Sequence, residues 1–491
     1  MSFDLRPAYT PIPHVKISYN LGCLRDIPTG DYIFGQHGES ILNGGLGPVT
    51  GVVGIGNNFK STYMHDMCLV VMSHFPPSTM DTYDTEVNMT MERLRELAGR
   101  QRDFNGENVI DNQRWRVTDK REHLGNEWYE ILKDYINLKV AQGPKALHTT
   151  PFLDRDGVTL MKQLPPSISQ IDSFSEFETQ DVADMQLKNE LGESGGNTIH
   201  MRQGLAKVRF LSDAPRLVAR GNNPMLLTAH IGKDIPMDPR SPPIKKLQFL
   251  KNGDKMKGVT DKFFFLTTNC WQCQNAAPLI NDTTKSVEYP RKPTDNMVGD
   301  TDLNELTLVL LRSKMGRSGL VMKILVSQEE GVLGSLSEFH YLRTNKYYGL
   351  GGNDRNYYSE FLPDVKLSRT TVRAKLDSDA RLRRAIQISA DLLQMSMLWH
   401  DAEEGMLCTP KELYDDLKAM GYDWSTLLDT RPWWTYDNDR HPIPFLTTAD
   451  LLRMRKKRYH PYWMPLLPGM TETPPKPKKG EKPLGELTDM S

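Results

Sequence analysis

The chain has 491 residues, a length that favours two or three folded units over one hydrophobic core. Hydrophobic residues make up 38% and charged residues 25%, so most of the chain is expected to fold, and no apolar run approaches the roughly 18 residues of a membrane span. The 61 basic and 62 acidic residues nearly cancel, so any nucleic-acid surface must be local. Five cysteines and the lack of a secretory signal predict reduced thiols and a cytoplasmic location.

The composition changes along the chain and predicts five regions. Residues 1–28 are rich in proline and predict an N-terminal arm. Residues 29–330 alternate short apolar runs with amphipathic stretches, which is typical of βαβ units and predicts an α/β core with a mainly parallel central sheet. The remaining regions are a C-terminal subdomain that ends in a helix (331–400), an aromatic and basic extension (401–470) and a disordered tail (471–491).

The strongest motif is a turn between a strand-like and a helix-like segment. Its residues are Gly54, Ile55, Gly56, Asn57, Asn58, Phe59, Lys60, Ser61 and Thr62. They match the pattern Gly-x4-Gly-Lys-Ser/Thr, except that Phe59 replaces the second glycine. In such a loop, backbone N–H groups surround the phosphates of ATP, the lysine reaches the β and γ oxygens and the hydroxyl ligates Mg²⁺. An ordinary glycine-containing turn is the alternative, and the flanking strand and helix favour the phosphate site.

Three polar residues follow or end further predicted strands. Glu86 could polarise a water molecule, Asp172 could hold Mg²⁺, and His230 would face the γ-phosphate. Ligands of open α/β sheets lie at the carboxyl ends of the strands, so these side chains are expected near the phosphate loop. Taken singly, each has an alternative: a solvated acid, a helix cap and a structural histidine.

Six segments in this order resemble the RecA family of ATP-dependent recombinases, most closely the strand-exchange recombinases of large tailed bacteriophages. The segments are Ile27–Tyr32, Asn43–Leu46, the phosphate loop, Tyr83–Glu86, Gln170–Ser173 and Thr228–Ile231. The resemblance covers about residues 28–330 and continues more weakly to about 395. It implies a RecA-like P-loop NTPase core and a DNA-dependent ATPase, with ATP and Mg²⁺ as cofactors. It also implies a filament on single-stranded DNA that promotes homologous pairing and strand exchange.

The resemblance assigns roles to residues that match the family's motifs. The implied roles are phosphate and Mg²⁺ binding (Lys60, Ser61), second-strand acid at the metal (Asp172), catalytic base (Glu86) and polar sensor of the γ-phosphate (His230). Arg93 stands where the family often has an adenine-stacking tyrosine, and arginine can stack as well. The family also suggests the bacterial host cytoplasm as the location, and mediator or single-strand-binding proteins as candidate partners.

Two segments are expected to bind DNA. The first lies within residues 180–203 and contains His200 and Arg202. The second runs from Ile231 to Lys262 with eight basic and four acidic residues, an excess that fits contact with a phosphate backbone. Its candidate contacts are Lys233, Lys245, Lys246, Lys251, Lys255 and Lys257. A charged, solvated loop is the alternative for this segment.

Residues 306–326 predict a β-hairpin with Lys314 and Arg317 in its turn. In RecA-like ATPases and hexameric helicases, basic residues at such a turn can reach the nucleotide of the neighbouring subunit; an exposed hairpin tip is the alternative. The turn also resembles hexameric replicative helicases, which are the first alternative function. A DNA-coating or regulatory protein with a degenerate ATPase is the second, favoured by Phe59 and Arg93.

Two further patterns carry less information. Cys270 and Cys273 form a lone CxxC without a second pair for zinc. The basic cluster at Arg453–Arg458 is as typical of a solvated helix end as of a nucleic-acid surface.

Overall fold

The structure, a computed structural model, describes residues 15–101, 104, 106–188, 196–233, 247–295, 297–353, 355–478 and 481–485. The strands are β1 (Asp31–Phe34), β2 (Ser40–Asn43), β3 (Val49–Gly54), β4 (Thr79–Asp84), β5 (Trp115–Asp119), β6 (His148–Leu153), β7 (Leu160–Gln163), β8 (Ser167–Asp172), β9 (Met225–Lys233), β10 (Asp254–Lys257), β11 (Asn269–Pro278), β12 (Leu303–Ser313), β13 (Val321–Ser327), β14 (Gly331–Val332), β15 (Leu350–Gly352), β16 (Tyr357–Ser359) and β17 (Leu362–Leu367). The α-helices are α1 (Cys23–Asp26), α2 (Lys60–His74), α3 (Met91–Gly99), α4 (Gly125–Ala141), α5 (Gln180–Lys188), α6 (Gly196–Gly221), α7 (Asp261–Leu266), α8 (Gly334–Thr344), α9 (Val372–Ser378), α10 (Ala380–Leu398), α11 (Pro410–Ala419), α12 (Trp424–Leu428) and α13 (Thr448–Arg455).

A large mixed sheet forms the centre of the molecule. Its strand order is β14-β13-β12-β11-β3-β9-β8-β4-β5, and β10 pairs with β9. The strands from β11 to β5 run parallel, whereas β12, β13 and β14 are antiparallel. The predicted α/β fold is confirmed. The expectation of a mainly parallel sheet fits the part built by crossovers such as α2, while short turns between β12, β13 and β14 produce an antiparallel edge.

The central sheet separates two hydrophobic cores. Successive residues of β9 alternate between them: Leu226 belongs to the core that contains α2, and Leu227 to the core that contains α4 and α6. Because both faces of the sheet are covered at its centre, β3 and β8 are buried along their whole length, and β8 buries polar residues such as Ser169 and Gln170 as well as apolar ones. The candidate site residues lie near or just beyond the carboxyl ends of these parallel strands.

The described part of the predicted N-terminal arm is packed into the protein. Tyr19 is buried, its ring stacks on Trp434 with centroids 5.7 Å apart, and it contacts Phe75 edge-on at 4.9 Å. Leu21 and Ile27 are buried as well. The arm prediction is wrong for these residues: their apolar side chains are too irregularly spaced to predict a helix, yet they bury as effectively as those of regular elements.

The C-terminal regions share the core of the sheet. Helix α10 lies where the sequence predicts one, and buried residues of α10, α11 and α13 belong to the same hydrophobic core as α2. The tail prediction is wrong at Leu484, which is buried and whose carbonyl accepts a hydrogen bond from Glu403 N–H at 2.8 Å, whereas residues 471–478 are mostly exposed and outside regular elements. A single apolar anchor is too weak a compositional signal to predict this contact. In the described part of the chain, no helix is long and apolar enough to cross a membrane.

Candidate functional site

The ends of four neighbouring strands bring the candidate residues together. Gly54 at the end of β3 pairs with His230 on β9, and Asp84 at the end of β4 pairs with Asp172 at the end of β8. Helix α2 starts at Lys60, a few residues after Gly54. The phosphate loop, Glu86, Asp172 and His230 therefore lie together at the carboxyl ends of the parallel strands, as predicted from the sequence.

The phosphate loop is a tight turn with two residues in the left-handed region. A Cβ on Gly54 would lie 2.7 Å from the carbonyl oxygen of Cys273, so a side chain does not fit there. Asn57 has φ 58° and Phe59 has φ 56°. The pattern's second glycine thus falls on a position whose backbone favours glycine. Phe59 adopts this conformation, and its half-buried ring packs against the hydrophobic core that contains α2.

Lys60 is buried at the start of α2. Its ammonium group donates a hydrogen bond to Ile55 O at 2.7 Å, which folds the side chain back over the loop. Desolvation lowers the pKa of Lys60, and the charges of Asp172 and Glu86 oppose this shift. An ammonium has three N–H donors, so this bond is compatible with further bonds to an anion. Together with the N-terminus of α2, Lys60 provides the positive field that phosphate oxygens require.

Glu86 is held by a histidine and by a shaped turn. Its Oε1 lies 3.1 Å from His230 Nε2, and about a third of each side chain is exposed. The buried carboxylate of Asp84 accepts hydrogen bonds from the backbone N–H groups of residues 86–89 at 2.9–3.0 Å. Asp84 therefore shapes the turn that carries Glu86. Its sequence signal was an aspartate ahead of a turn, which often caps the following backbone.

Asp172 and Ser61 offer oxygen ligands for Mg²⁺. Asp172 is buried, accepts a hydrogen bond from the hydroxyl of Thr228 and lies close enough to Lys60 for its charge to act on that lysine. Ser61 is half-buried in the first turn of α2. Among the described residues, no cluster of three acidic, histidine or cysteine side chains could hold a metal by itself. A nucleotide-bound Mg²⁺ does not need such a cluster, because phosphates and water supply most ligands.

Arg93 is partly exposed and is bound to the protein's own backbone. Its guanidinium donates hydrogen bonds to the carbonyl oxygens of Gln328 and Glu329, each at 2.6 Å. These carbonyls belong to the turn between β13 and β14. In this arrangement Arg93 fastens that turn to α3 instead of presenting a free planar group to a base.

Lys314 and Arg317 lie beside the amino ends of the parallel strands, opposite to the carboxyl ends where the candidate site lies. Ser313 pairs with Asn269, which pairs in turn with Thr50 near the start of β3. The hairpin turn is thus separated from Gly54 by at least four residues of strand, about 13 Å. Both side chains are exposed, and desolvation together with the charges of Arg312 and Lys16 lowers the pKa of Lys314. The structure does not bring these two residues to this chain's own phosphate loop.

The second segment that the sequence predicts to bind DNA begins as a β-ladder that continues from the candidate site. Strand β10 pairs with the end of β9, and Lys257 lies opposite His230. Lys251 and Lys257 are exposed, Lys255 is half-buried, and Lys233 forms an ion pair with Asp254. Lys245 and Lys246 lie outside the described residues. In the first segment, His200 and Arg202 are exposed on α6, while residues 189–195 are also outside the described part.

The minor motifs have structural explanations. The buried Cys270 and Cys273 belong to the two different cores on opposite sides of the sheet, so they do not form a metal pair. In the basic cluster, Arg453 is buried. Its ion-pair partners and those of its neighbours are Asp450 (Arg453), Asp416 (Arg455) and Glu403 (Arg458). These pairs favour the solvated helix end over a nucleic-acid surface.

Comparison with known proteins adds no family assignment: no protein-family model matches the chain, and no curated protein matches it.

Proposed function

We propose that the protein is an ATP-dependent, single-stranded-DNA-binding recombinase with a RecA-like core, which forms a nucleoprotein filament for homologous pairing and strand exchange. The observation that carries the proposal is the convergence of Lys60, Glu86, Asp172 and His230 at the carboxyl ends of adjacent parallel strands. One of these strands, β9, continues directly into the basic ladder with β10. The strand that carries His230 of the proposed nucleotide site thus leads directly into the proposed DNA-binding segment.

Each residue has a defined chemical task in this proposal. The loop N–H groups, the start of α2 and Lys60 bind the phosphates, and Ser61 and Asp172 hold Mg²⁺, which neutralises charge on the phosphate oxygens when bound. Glu86 orients the attacking water and accepts its proton. His230 lies 3.1 Å from the Glu86 carboxylate, and in this proposal it links Glu86 to the β9–β10 ladder beyond it.

Two other functions remain as alternatives. A DNA-coating protein with a degenerate ATPase is favoured by Arg93, whose guanidinium is bound to backbone carbonyls, and by the phenylalanine at position 59. A hexameric helicase is favoured by the basic hairpin turn. Negative-stain images with ATP and single-stranded DNA separate the three: a recombinase gives helical filaments, a helicase closed rings, and a coating protein neither.

Two substitutions test the chemistry. Lys60→Ala should abolish ATP hydrolysis and weaken nucleotide binding, because it removes the charge that meets the phosphates. Glu86→Gln should preserve binding and slow hydrolysis about 10²–10⁴-fold, because only proton transfer is lost. Glu92→Gln, an exposed acid in the first turn of α3, is the control and should leave both quantities unchanged. Equal loss of nucleotide binding in the Lys60 and Glu86 variants would contradict their separate roles.

A further inference from the structure

A buried lysine lies beside the candidate site and belongs to none of the predicted motifs. Lys207 on α6 is only 2% exposed. Its ammonium donates hydrogen bonds to Ser175 O at 2.5 Å and to Gly258 O at 2.7 Å. Burial lowers its pKa to about 8, and the charges of Glu176 and Glu178 oppose this shift. Burying an ammonium is costly, and an apolar side chain would avoid that cost, so the specific contribution of Lys207 is its pair of directed bonds.

The two acceptors of Lys207 lie on different functional segments. Ser175 follows Asp172 by three residues, and Gly258 directly follows β10. Gly258 has φ +65°, and a Cβ there would lie 2.7 Å from Ser175 O. The two backbones therefore approach as closely as a glycine allows. Lys207 joins the end of β8 to the base of the second DNA-binding segment at this point.

Ser175 also contacts β9, the strand that carries His230. Its hydroxyl accepts a hydrogen bond from His230 N–H at 3.0 Å and donates one to Lys257 O at 2.8 Å. On the other side, the hydroxyl of Thr85, which precedes Glu86, bonds both the N–H and the carbonyl of Ser173 at 2.7 and 2.8 Å. Residues 172–175 are thus tied to the loop of Glu86, to His230 and to β10.

We propose that Lys207 is a positioning residue that couples the nucleotide site to both DNA-binding segments. It holds residues 172–175 against Gly258, and it lies on α6, the helix that carries His200 and Arg202 of the first segment. A shift of Glu86 or His230 is then transmitted to the DNA side through fixed hydrogen bonds. This inference rests on the proposed function.

The test compares DNA affinity with and without nucleotide. A fluorescent oligothymidylate is titrated with wild type and Lys207→Met, in Mg²⁺ with or without a non-hydrolysable ATP analogue. Allosteric couplings commonly change affinity by about 5–150-fold. Wild type should show a nucleotide-induced gain in this range, and Lys207→Met should reduce it to within about twofold of unity. Nucleotide affinity should stay within about twofold of wild type, because the hydrogen bonds of Lys207 go to Ser175 and Gly258 and not to the phosphate loop.

The matched control is Lys262→Met. Lys262 is exposed and donates a hydrogen bond at 3.0 Å to Oγ of Ser212, which lies on α6 like Lys207. Lys262 therefore also joins α6 to the end of the second segment. The Lys262→Met variant should keep the full nucleotide-induced gain in DNA affinity. Lys207→Arg retains the charge and should recover part of it.

The outcomes separate this inference from the proposed function. A wild-type gain that persists in Lys207→Met overturns the inference alone. Wild type without any gain overturns both. If Lys207→Met weakens DNA binding equally with and without nucleotide, the role of Lys207 is merely structural, and the coupling inference is overturned as well. If circular dichroism shows that Lys207→Met is unfolded, Ser175→Ala takes its place, since it removes the bonds to His230 and Lys257; a full gain in folded Ser175→Ala would then reject the coupling.

Discussion

Phe59 exposes a conflict between backbone preference and side-chain packing at a single residue. An L-residue in the left-handed region costs roughly 1–2 kcal/mol relative to a right-handed conformation, and glycine avoids this cost. Phe59 has φ 56° and gains packing of its ring against the core of α2. The replacement of the motif's second glycine therefore leaves the loop geometry possible and places the side chain against the protein core.

This balance predicts an inverted order of stability between two small substitutions. Phe59→Ala and Phe59→Gly both lose the ring, but only alanine retains the unfavourable φ. Although glycine in a helix interior is usually less stable than alanine, we expect Phe59→Gly to exceed Phe59→Ala by about 0.5–1 kcal/mol in the free energy of unfolding. Urea denaturation of the two variants measures the difference. Greater stability of the alanine variant would mean that this backbone position is not left-handed in solution.

At the scale of elements, much of the site follows from local sequence. The strand-end rule predicts that Glu86, Asp172 and His230 lie near the phosphate loop, because all three are at or close to the carboxyl ends of neighbouring parallel strands. The partners of Arg93 were not predictable, since they are backbone carbonyls more than 230 residues away. Lys207 was missed for the same reason: its acceptors are carbonyl oxygens, which have no sequence signature.

The exposed lysines in and just before β10 predict how the salt concentration affects DNA binding. Lys251 and Lys257 are exposed, and neutralising phosphates with them would release counterions on binding. Substituting both with alanine should weaken binding to all single-stranded sequences and flatten the salt dependence by about 0.7 per lost contact, hence by about 1.4. Fluorescence titrations over a range of salt concentrations measure this slope.

The basic cluster near α13 provides the control for this experiment. Arg455 and Arg458 are also basic and near one another, but they form ion pairs with Asp416 and Glu403. Replacing these two arginines with alanine should leave the salt slope as it is in wild type. A reduced slope here, with no change in the lysine variant, would place the phosphate contacts on the C-terminal extension instead.

At the scale of the whole molecule, the candidate site and the hairpin turn lie at opposite ends of the strands of one sheet. The turn is held firmly: Ser18 Oγ contacts Met315 Sδ at 3.3 Å, and a Cβ on Gly316 would lie 2.1 Å from Pro28 O. The N-terminal segment, itself buried, thus fixes the direction of the hairpin. A rigid basic turn far from its own phosphate loop is suited to act on a neighbouring subunit, which would make ATP hydrolysis depend on assembly.

This shared site can be tested by mixing two inactive variants. In the double substitution Lys314→Ala and Arg317→Ala, the isolated subunit should bind nucleotide nearly as wild type does, while DNA-stimulated ATP hydrolysis should collapse, because a neighbour's transition state loses its positive charge. Lys323→Ala, on the same hairpin but paired with Glu305, is the control and should retain activity. Mixing the double variant with Lys60→Ala should restore part of the hydrolysis, since some interfaces then join an intact phosphate loop to an intact hairpin. A mixture that stays inactive, although mixed filaments are seen by electron microscopy, would instead make the two residues part of an exposed hairpin tip.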